Sequence, residues 1–354
     1  MTKSSVEAAE WTTGVDLGDQ WSEVCELETS SGAVLRRYRV RTRAQQLSRS
    51  FGTGPRRRVV VETGTHSPWV SRLLASMGHE VIVAQASRVA LIGASRRKSD
   101  RVDAEALARL GRVDPQLLAP VRQRSVQVQT DRAVLRSRDA LVRARTMLIN
   151  AARGMVKSTG ERLPRCSAES FAVRAAEALA EPLRPALEPL LELVGELTQR
   201  IRALDRTVET LCRRRYPATA QLRQVRGVGA VTALGFLLAV EDPARFAHSR
   251  AVGGYFGLVP ARRSSGQTDP QLRISKQGDR FVRRLLVGSA HYILGPFGTD
   301  CELRRFGQRL AATGGKNAKK RAIVAVARKL AVLLHRLWTT GEPYEPLRLA
   351  ATNG

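Results

Sequence analysis

The chain has no run of 18 or more apolar residues, so no helix of bilayer length is expected. Its first residues lack the basic, apolar and small-residue succession of a secretory signal, and 1–11 read as a loose polar leader. Cysteine is scarce: Cys25, Cys166, Cys212 and Cys301 are scattered and form no C-x-x-C pair. Neither a disulfide framework nor a zinc site is expected, and a reducing cytoplasm is the compartment that fits. Aromatics make up only 5% of the chain, so base stacking should matter less than phosphate contact. Acidic residues are also few, 32 Asp and Glu against 59 Lys and Arg, which leaves a formal charge of +27. Such an excess calls for a polyanionic partner. Nucleic acid is the first choice, bound with steep salt dependence, and a membrane surface is the rival.

In so basic a chain, carboxylates at strand ends stand out, Asp16 and Glu62 in apolar contexts above all. Asp16 sits in Gly14-Val15-Asp16-Leu17, Glu62 closes Val59-Val60-Val61, and Asp100 and Asp103 share Lys98-Ser99-Asp100-Arg101-Val102-Asp103. A buried carboxylate without a partner is costly, and several together repel unless cations lie between them. Hard divalent cations take oxygen ligands, and a pair about 4 Å apart can clamp the attacking and leaving oxygens of a phosphodiester. Asp100 and Asp103, three apart on a predicted helix, share one face. They equally suit a first helical turn, where the dipole favours acids.

Short strands are predicted around Asp16, at 23–27 and 34–40 with Thr29-Ser30-Ser31-Gly32 as the turn between them, at 58–62 and at 81–84. Helices are predicted at 43–51, from Pro68 to Met77, and at 100–112 behind Ser99 as N-cap. Three meander strands followed by alternating helices and strands is the order of an RNase H-like α/β domain, spanning 12–122. The region 123–215 is predicted mainly α. Val128, Leu135, Val142, Ile149 and Val156 recur every seven residues, with Val134, Leu141, Leu148 and Met155 beside them. Leu190, Val194, Leu197, Ile201, Leu204, Val208 and Leu211 alternate spacings of four and three. Two long coiled-coil helices follow, packed as a hairpin or across subunits. Arg132, Arg136, Arg138, Arg143 and Arg145 on the first form either a solvated face or a phosphate-tracking surface.

A third, helical segment spans 216–345, and 346–354 is a tail. Val225-Arg226-Gly227-Val228-Gly229 before an apolar helix at 230–240 has the pattern of a helix-hairpin-helix turn. Its glycines would let backbone amides approach a phosphate, although a plain glycine turn needs the same residues. Then come Pro260-Ala261-Arg262-Arg263-Ser264-Ser265-Gly266-Gln267, the stretch Arg273-Ile274-Ser275-Lys276-Gln277-Gly278-Asp279, a basic helix near 280–294 and a last helix reaching Trp338. A serine hydroxyl is a weak nucleophile that needs a base or a strong local field. Arg262 and Arg263 would offset charge developing on phosphoryl oxygens. Ser-Ser-Gly is also common in ordinary loops.

Taken in order, Gly14-Val15-Asp16, Glu62-Thr63-Gly64, Lys98 to Ala104, the Val225–Gly229 turn, Phe256-Gly257-Leu258-Val259-Pro260, Ser265-Gly266 and Ile274 to Asp279 resemble the DEDD transposases of bacterial insertion sequences, relatives of the Piv-type invertases. The likeness covers roughly 12–345. It implies that Asp16, Glu62, Asp100 and Asp103 are the four acids of a RuvC-like domain that bind Mg²⁺. It implies that Ser265, which immediately precedes Gly266, is the serine of a C-terminal transposase domain that joins covalently to DNA. It further implies donor and target DNA as substrates, and a bridge RNA encoded by the element whose loops choose both by base pairing. Dimers joining into tetramers and a nucleoid-associated location in the bacterial cytoplasm complete the expectation. One departure is the turn after Glu62, Thr63-Gly64-Thr65-His66, where the family commonly has one more small residue before the glycine. Arg262, Arg263, Arg273 and Lys276 are candidates for phosphate contact, from charge and nearness in sequence. The residues alone leave open a Mg²⁺-dependent nuclease or Holliday-junction resolvase that uses water, and a non-enzymatic nucleic-acid-binding protein.

Overall fold

Alternating side chains build a two-faced sheet at the N-terminus. Strands β1 (Trp11–Leu17), β2 (Trp21–Glu28) and β3 (Val34–Arg41) pair antiparallel. Strands β4 (Arg57–Glu62) and β5 (Glu80–Ala84) continue the sheet in parallel on the other side of β1, for the order β3-β2-β1-β4-β5. The succession along the chain, three meander strands and then alternating helices and strands, is the one expected from the sequence, and the unit is consistent with an RNase H-like fold. The computed structural model describes residues 9–86, 100–261 and 272–347. Ser99, expected as a helix cap, lies outside them. The chain divides into two units, 1–125 and 126–354.

One face of the sheet carries Val15, Val24, Val40, Val59, Val61 and Val83, which pack against Leu47 and Phe51 of α1 (Ala44–Phe51) and Val70 and Leu74 of α2 (Ser67–Ser76). At its margin Arg57 is fully buried. It is paired with buried Glu26 at 2.8 Å and donates to the Thr53 carbonyl at 2.7 Å, because a charge withdrawn from water needs its partners. The opposite face takes α3 (Asp100–Val113), whose Ala104 and Ala108 meet Cys25 and Leu27, and whose Leu107 meets Val60 and Ile82. Gly14 lets this helix sit directly on β1. A Cβ there would run into the Ala104 carbonyl oxygen and stand 2.5 Å from the Ala108 nitrogen. Gly14→Ala should therefore cost about 3 kcal/mol and lower the melting temperature by roughly 10 °C in calorimetry. Gly64→Ala, whose Cβ would meet nothing within 4 Å, should leave it unchanged.

The second unit is helical: α4 (Val126–Ser158), α5 (Phe171–Glu177), α6 (Arg184–Arg214), α7 (Thr219–Arg223), α8 (Ala230–Val240), α9 (Ala251–Tyr255), α10 (Arg280–Leu294), α11 (Glu302–Ala312) and α12 (Ala318–Thr340). Helices α4 and α6 form an antiparallel hairpin within the chain, with Arg138 paired to Asp205 and the Arg145 guanidinium donating to Thr198 Oγ1 at 3.1 Å. Val128, Leu135, Ile149 and Val156 are buried on one helix and Val194, Leu197, Ile201 and Val208 on the other. Of the five arginines of α4, Arg136 and Arg143 are on a solvated face as one expectation had it, while Arg132, Arg138 and Arg145 are largely withdrawn from solvent. Each meets a carboxylate: Arg132 and Arg136 meet Asp279, Arg138 meets Asp205, Arg143 meets Asp139 and Arg145 meets Glu169. Helix α8 is apolar all round and is accordingly buried in the main core, together with Leu330, Ala331 and Leu334 of α12. Among the described residues no helix is long and apolar enough to cross a membrane.

Candidate active site and nucleic-acid interface

Parallel pairing of β1 and β4 holds Val15 opposite Val61, so Asp16 and Glu62 follow side by side at the C-terminal ends of neighbouring strands. By strand alternation both belong to the face of Gly14 and Val60, the one under α3. That helix runs back along β1. Ala104 and Ala108 lie over Gly14, while Arg112 donates to the Thr29 and Ser30 carbonyls at the hairpin turn, both at 2.9 Å. Its first turn, with Asp100 and Asp103, is therefore at the same end of the sheet as Asp16 and Glu62. Asp16, Glu62 and Asp103 are half-buried and Asp100 is exposed. Glu23, the register partner of Asp16 on β2, adds a carboxylate that sequence reading did not single out, and it pairs with Arg39 at 3.4 Å.

The donors suit a hard divalent cation, since all are carboxylate oxygens. The side chains are not drawn together: among the described residues no three His, Cys, Asp or Glu stand close enough to hold a metal ion. Backbone topology sets the acids at one end of the sheet, and their mutual repulsion opposes the final approach unless a cation offsets it.

Ser265 lies outside the described residues, as do Ser264, Arg262 and Arg263. Both flanks of their segment are described, and they are clasped together. Pro260 bridges Ile274, the Ala261 amide donates to the Arg273 carbonyl at 2.9 Å, and the Ser275 amide donates to the Val259 carbonyl at 2.9 Å. Gly257 and Gly278, at φ +64 and +74, permit this approach, since a Cβ at Gly257 would stand 2.5 Å from the Gln277 nitrogen. Arg283 ties the two sides by donating to the carbonyls of Phe256 at 3.0 Å and Gln277 at 2.8 Å. Asp279 then caps α10, accepting from the amides of Phe281 at 2.9 Å and Val282 at 3.2 Å.

Burial alone would raise the Asp279 pKa. The Arg132 guanidinium, the Val282 amide and Arg136 outweigh it and hold the carboxyl below its usual range. A depressed carboxylate stabilises the fold above its unfolded pKa, and that contribution fades as pH falls through the lowered value. Asp279→Asn keeps a capping side chain but removes the charge. It should cost about 2 kcal/mol at pH 7 by denaturant unfolding, and the difference from wild type should shrink in acid.

Arg273 and Lys276 of the clasp are exposed, and Lys276 adopts a left-handed backbone at φ +56. Both line a groove of about 1360 Å³ formed by the clasp, α11, α12 and residues 343–346. Leu258, Leu272, Phe306 and Leu333 give it apolar walls. Its rim has eight cations, Arg250, Arg273, Lys276, Lys320, Arg321, Arg328, Lys329 and Arg336, against Glu302 and Glu345. Such a surface suits a sugar-phosphate backbone, which positions a duplex or strand without reading its bases. Sequence reading missed Arg328, Lys329 and Arg336. The available signal was a spacing of seven from Arg321 to Arg328 and from Lys329 to Arg336, which places each pair on one helical face.

Comparison with known proteins matches the same two regions. Residues 13–160 match the DEDD transposase model of the IS110 type, and residues 219–295 match the model described as Transposase IS116/IS110/IS902 family. The transposase for insertion sequence element IS1111A of Coxiella burnetii is 30% identical over 70% of this chain and 68% of its own length. The transposase for insertion sequence element IS1328 of Yersinia enterocolitica is 29% identical over 78% of this chain and 82% of its own. A Pseudomonas aeruginosa protein described as "Probable family 20 transposase" is 28% identical over 94% and 98%. With the four acids brought to one end of the sheet and the likeness running through both units, the chain belongs to the IS110/IS116-type DEDD transposases of insertion sequences.

Proposed function

We propose that this transposase cuts and exchanges DNA strands through a phosphoserine intermediate, with Asp16, Glu62, Asp100 and Asp103 acting on the same phosphodiester as Ser265. The observation that carries the reading is the placement of Asp16, Glu62 and the first turn of α3 at one end of one sheet face. Four carboxylates there would hold Mg²⁺, which when bound supplies a Lewis acid to the phosphate. Ser265 Oγ attacks phosphorus, and the bond to one sugar oxygen breaks. That sugar leaves as a hydroxyl, and the protein keeps the other DNA end as an ester. A hydroxyl from the second DNA then attacks the ester and releases the serine, so each bond broken is matched by one formed and no ATP is needed. Arg262, Arg263, Arg273 and Lys276 oppose charge on the phosphates.

Sequence choice is delegated to a bridge RNA, and dimers pair into tetramers so that donor and target are held at once. A charge of +27 and a groove whose cations suit backbone rather than base edges support that division. The experiment is a recombination assay with purified protein, Mg²⁺, both DNAs and the transcript flanking the element. Recombinant joints should form only when the transcript and Mg²⁺ are both present. Equal yield without the transcript would remove the RNA-guided part.

A further inference from the structure

We propose that Trp21, Arg39 and Arg41 form a clamp for an unpaired nucleotide stretch beside the acids; this rests on the acid-site reading above. Strand β3 is the outer strand of the sheet, and charge on an outer strand discourages stray pairing. Arg36, Arg37 and Arg39 meet that need while bound to carboxylates, Arg36 to Glu26, Arg37 to Glu105 at 2.6 Å and Arg39 to Glu23 at 3.4 Å. Arg41 is exposed and makes no ion pair among the described residues.

The register places this group. Asp16 is opposite Glu23, Glu23 is opposite Arg39, and Trp21 is opposite Arg41. Residues two apart on a strand share a face, so the Trp21–Arg41 rung is on the acid face, roughly 7 Å beyond the acid rung. The guanidinium carbons of Arg39 and Arg41 lie 5.0 and 4.8 Å from the Trp21 ring centroid, and Trp21 is 36% exposed. Edge protection explains charge there, but not a large exposed indole that holds two guanidiniums.

Cation–π contact restrains two otherwise mobile side chains, leaving the Arg41 fork and the terminal N–H groups of Arg39, whose Nε is on Glu23, to meet a ligand. A phosphodiester offers paired oxygens to such forks, and a base offers a π-face to the indole or guanidinium plane. Paired bases hide their faces in the duplex stack, so the group fits an unpaired strand. Its source is either the DNA strand undergoing cleavage or the guiding RNA.

The test uses full-length protein with oligonucleotides of the element's end junction carrying 5-iodouracil one to four nucleotides from the cleavage point, as single-stranded DNA, single-stranded RNA or duplex. After irradiation the adduct should map to the Trp21 peptide with a single-stranded probe, and the arm that yields it identifies the source. Arg39→Gln with Arg41→Gln should raise KM for cleavage about tenfold with kcat within about twofold. The same double variant should lower the salt slope of single-strand binding by about 1.4, at about 0.7 per phosphate. Trp21→Phe should restore most of the KM lost in Trp21→Ala. No adduct at Trp21, an adduct with duplex only, or an unchanged KM and salt slope would overturn the clamp. Asp16→Asn protein should cross-link as wild type does without cutting. Normal cutting by that variant would instead sink the acid-site reading and leave the cross-link to be judged by itself.

Discussion

Ser265→Ala protein should bind its nucleic acids normally yet form no covalent adduct and no exchanged joint, with activity down on the order of 10⁴-fold or more. The change removes one oxygen, and with it the only atom the proposed ester can be built on. Denaturing gels of the cleavage reaction read the result, since an ester-linked DNA end migrates with the protein and a free end does not. Ser264→Ala is the internal control and should keep both adduct and joint. If Ser265→Ala cuts at the wild-type rate without an adduct, water is the nucleophile, and the enzyme is a Mg²⁺-dependent nuclease of the resolvase kind.

Asp16→Asn should reduce cutting and exchange together by about 10³-fold, the scale of several kcal/mol of charge stabilisation at a phosphate. The substitution is nearly isosteric, and β1 keeps its pairing with β2 and β4. Asp16 stands beside Glu62 and opposite Glu23, so the substitution removes one charge from a row of carboxylates. A readout besides activity is available: millimolar Mg²⁺ should raise the melting temperature of the wild type by mass action and fail to raise that of Asp16→Asn. A variant that keeps full cutting and the Mg²⁺ response would show that Asp16 is structural.

Much of the N-terminal unit is legible from local pattern. The strands at 34–40, 58–62 and 81–84 are each found with one end moved by a single residue, β3 running on to Arg41. The strand at 23–27 runs further, to Trp21–Glu28. This matters because Trp21 and Arg41 then become a cross-strand pair. Their meaning depends on register, which is a relation between strands, and no single strand's composition contains it. Arg57 makes the same point. It reads as a polar residue before an apolar run, yet it is fully buried because Glu26, Trp11 and Phe51 arrive from other elements to surround it.

The helical hairpin is legible as heptads, but of the α4 arginines only Arg143, four residues from Asp139, has its partner on the same helix. Arg132 and Arg136 find Asp279 more than a hundred residues away, and it is this pairing that helps fasten the flank of the Ser265 segment. Charge counted along one helix cannot reveal a carboxylate brought in by another.

Composition and periodicity were enough to establish a strongly basic, two-faced sheet followed by long helices, with four carboxylates set in apolar or helix-opening contexts, because burial imposes a period of two on strands and about 3.6 on helices. Tertiary structure alone decided that Asp16 and Glu62 are neighbours, that α3 returns along β1 to bring Asp100 and Asp103 to the same end, and that Glu23, Arg39, Arg41 and Trp21 extend that row. The reason is physical: strand register and the close seat of α3 on Gly14 are set by long-range pairing and packing, and these act between residues that the chain keeps far apart.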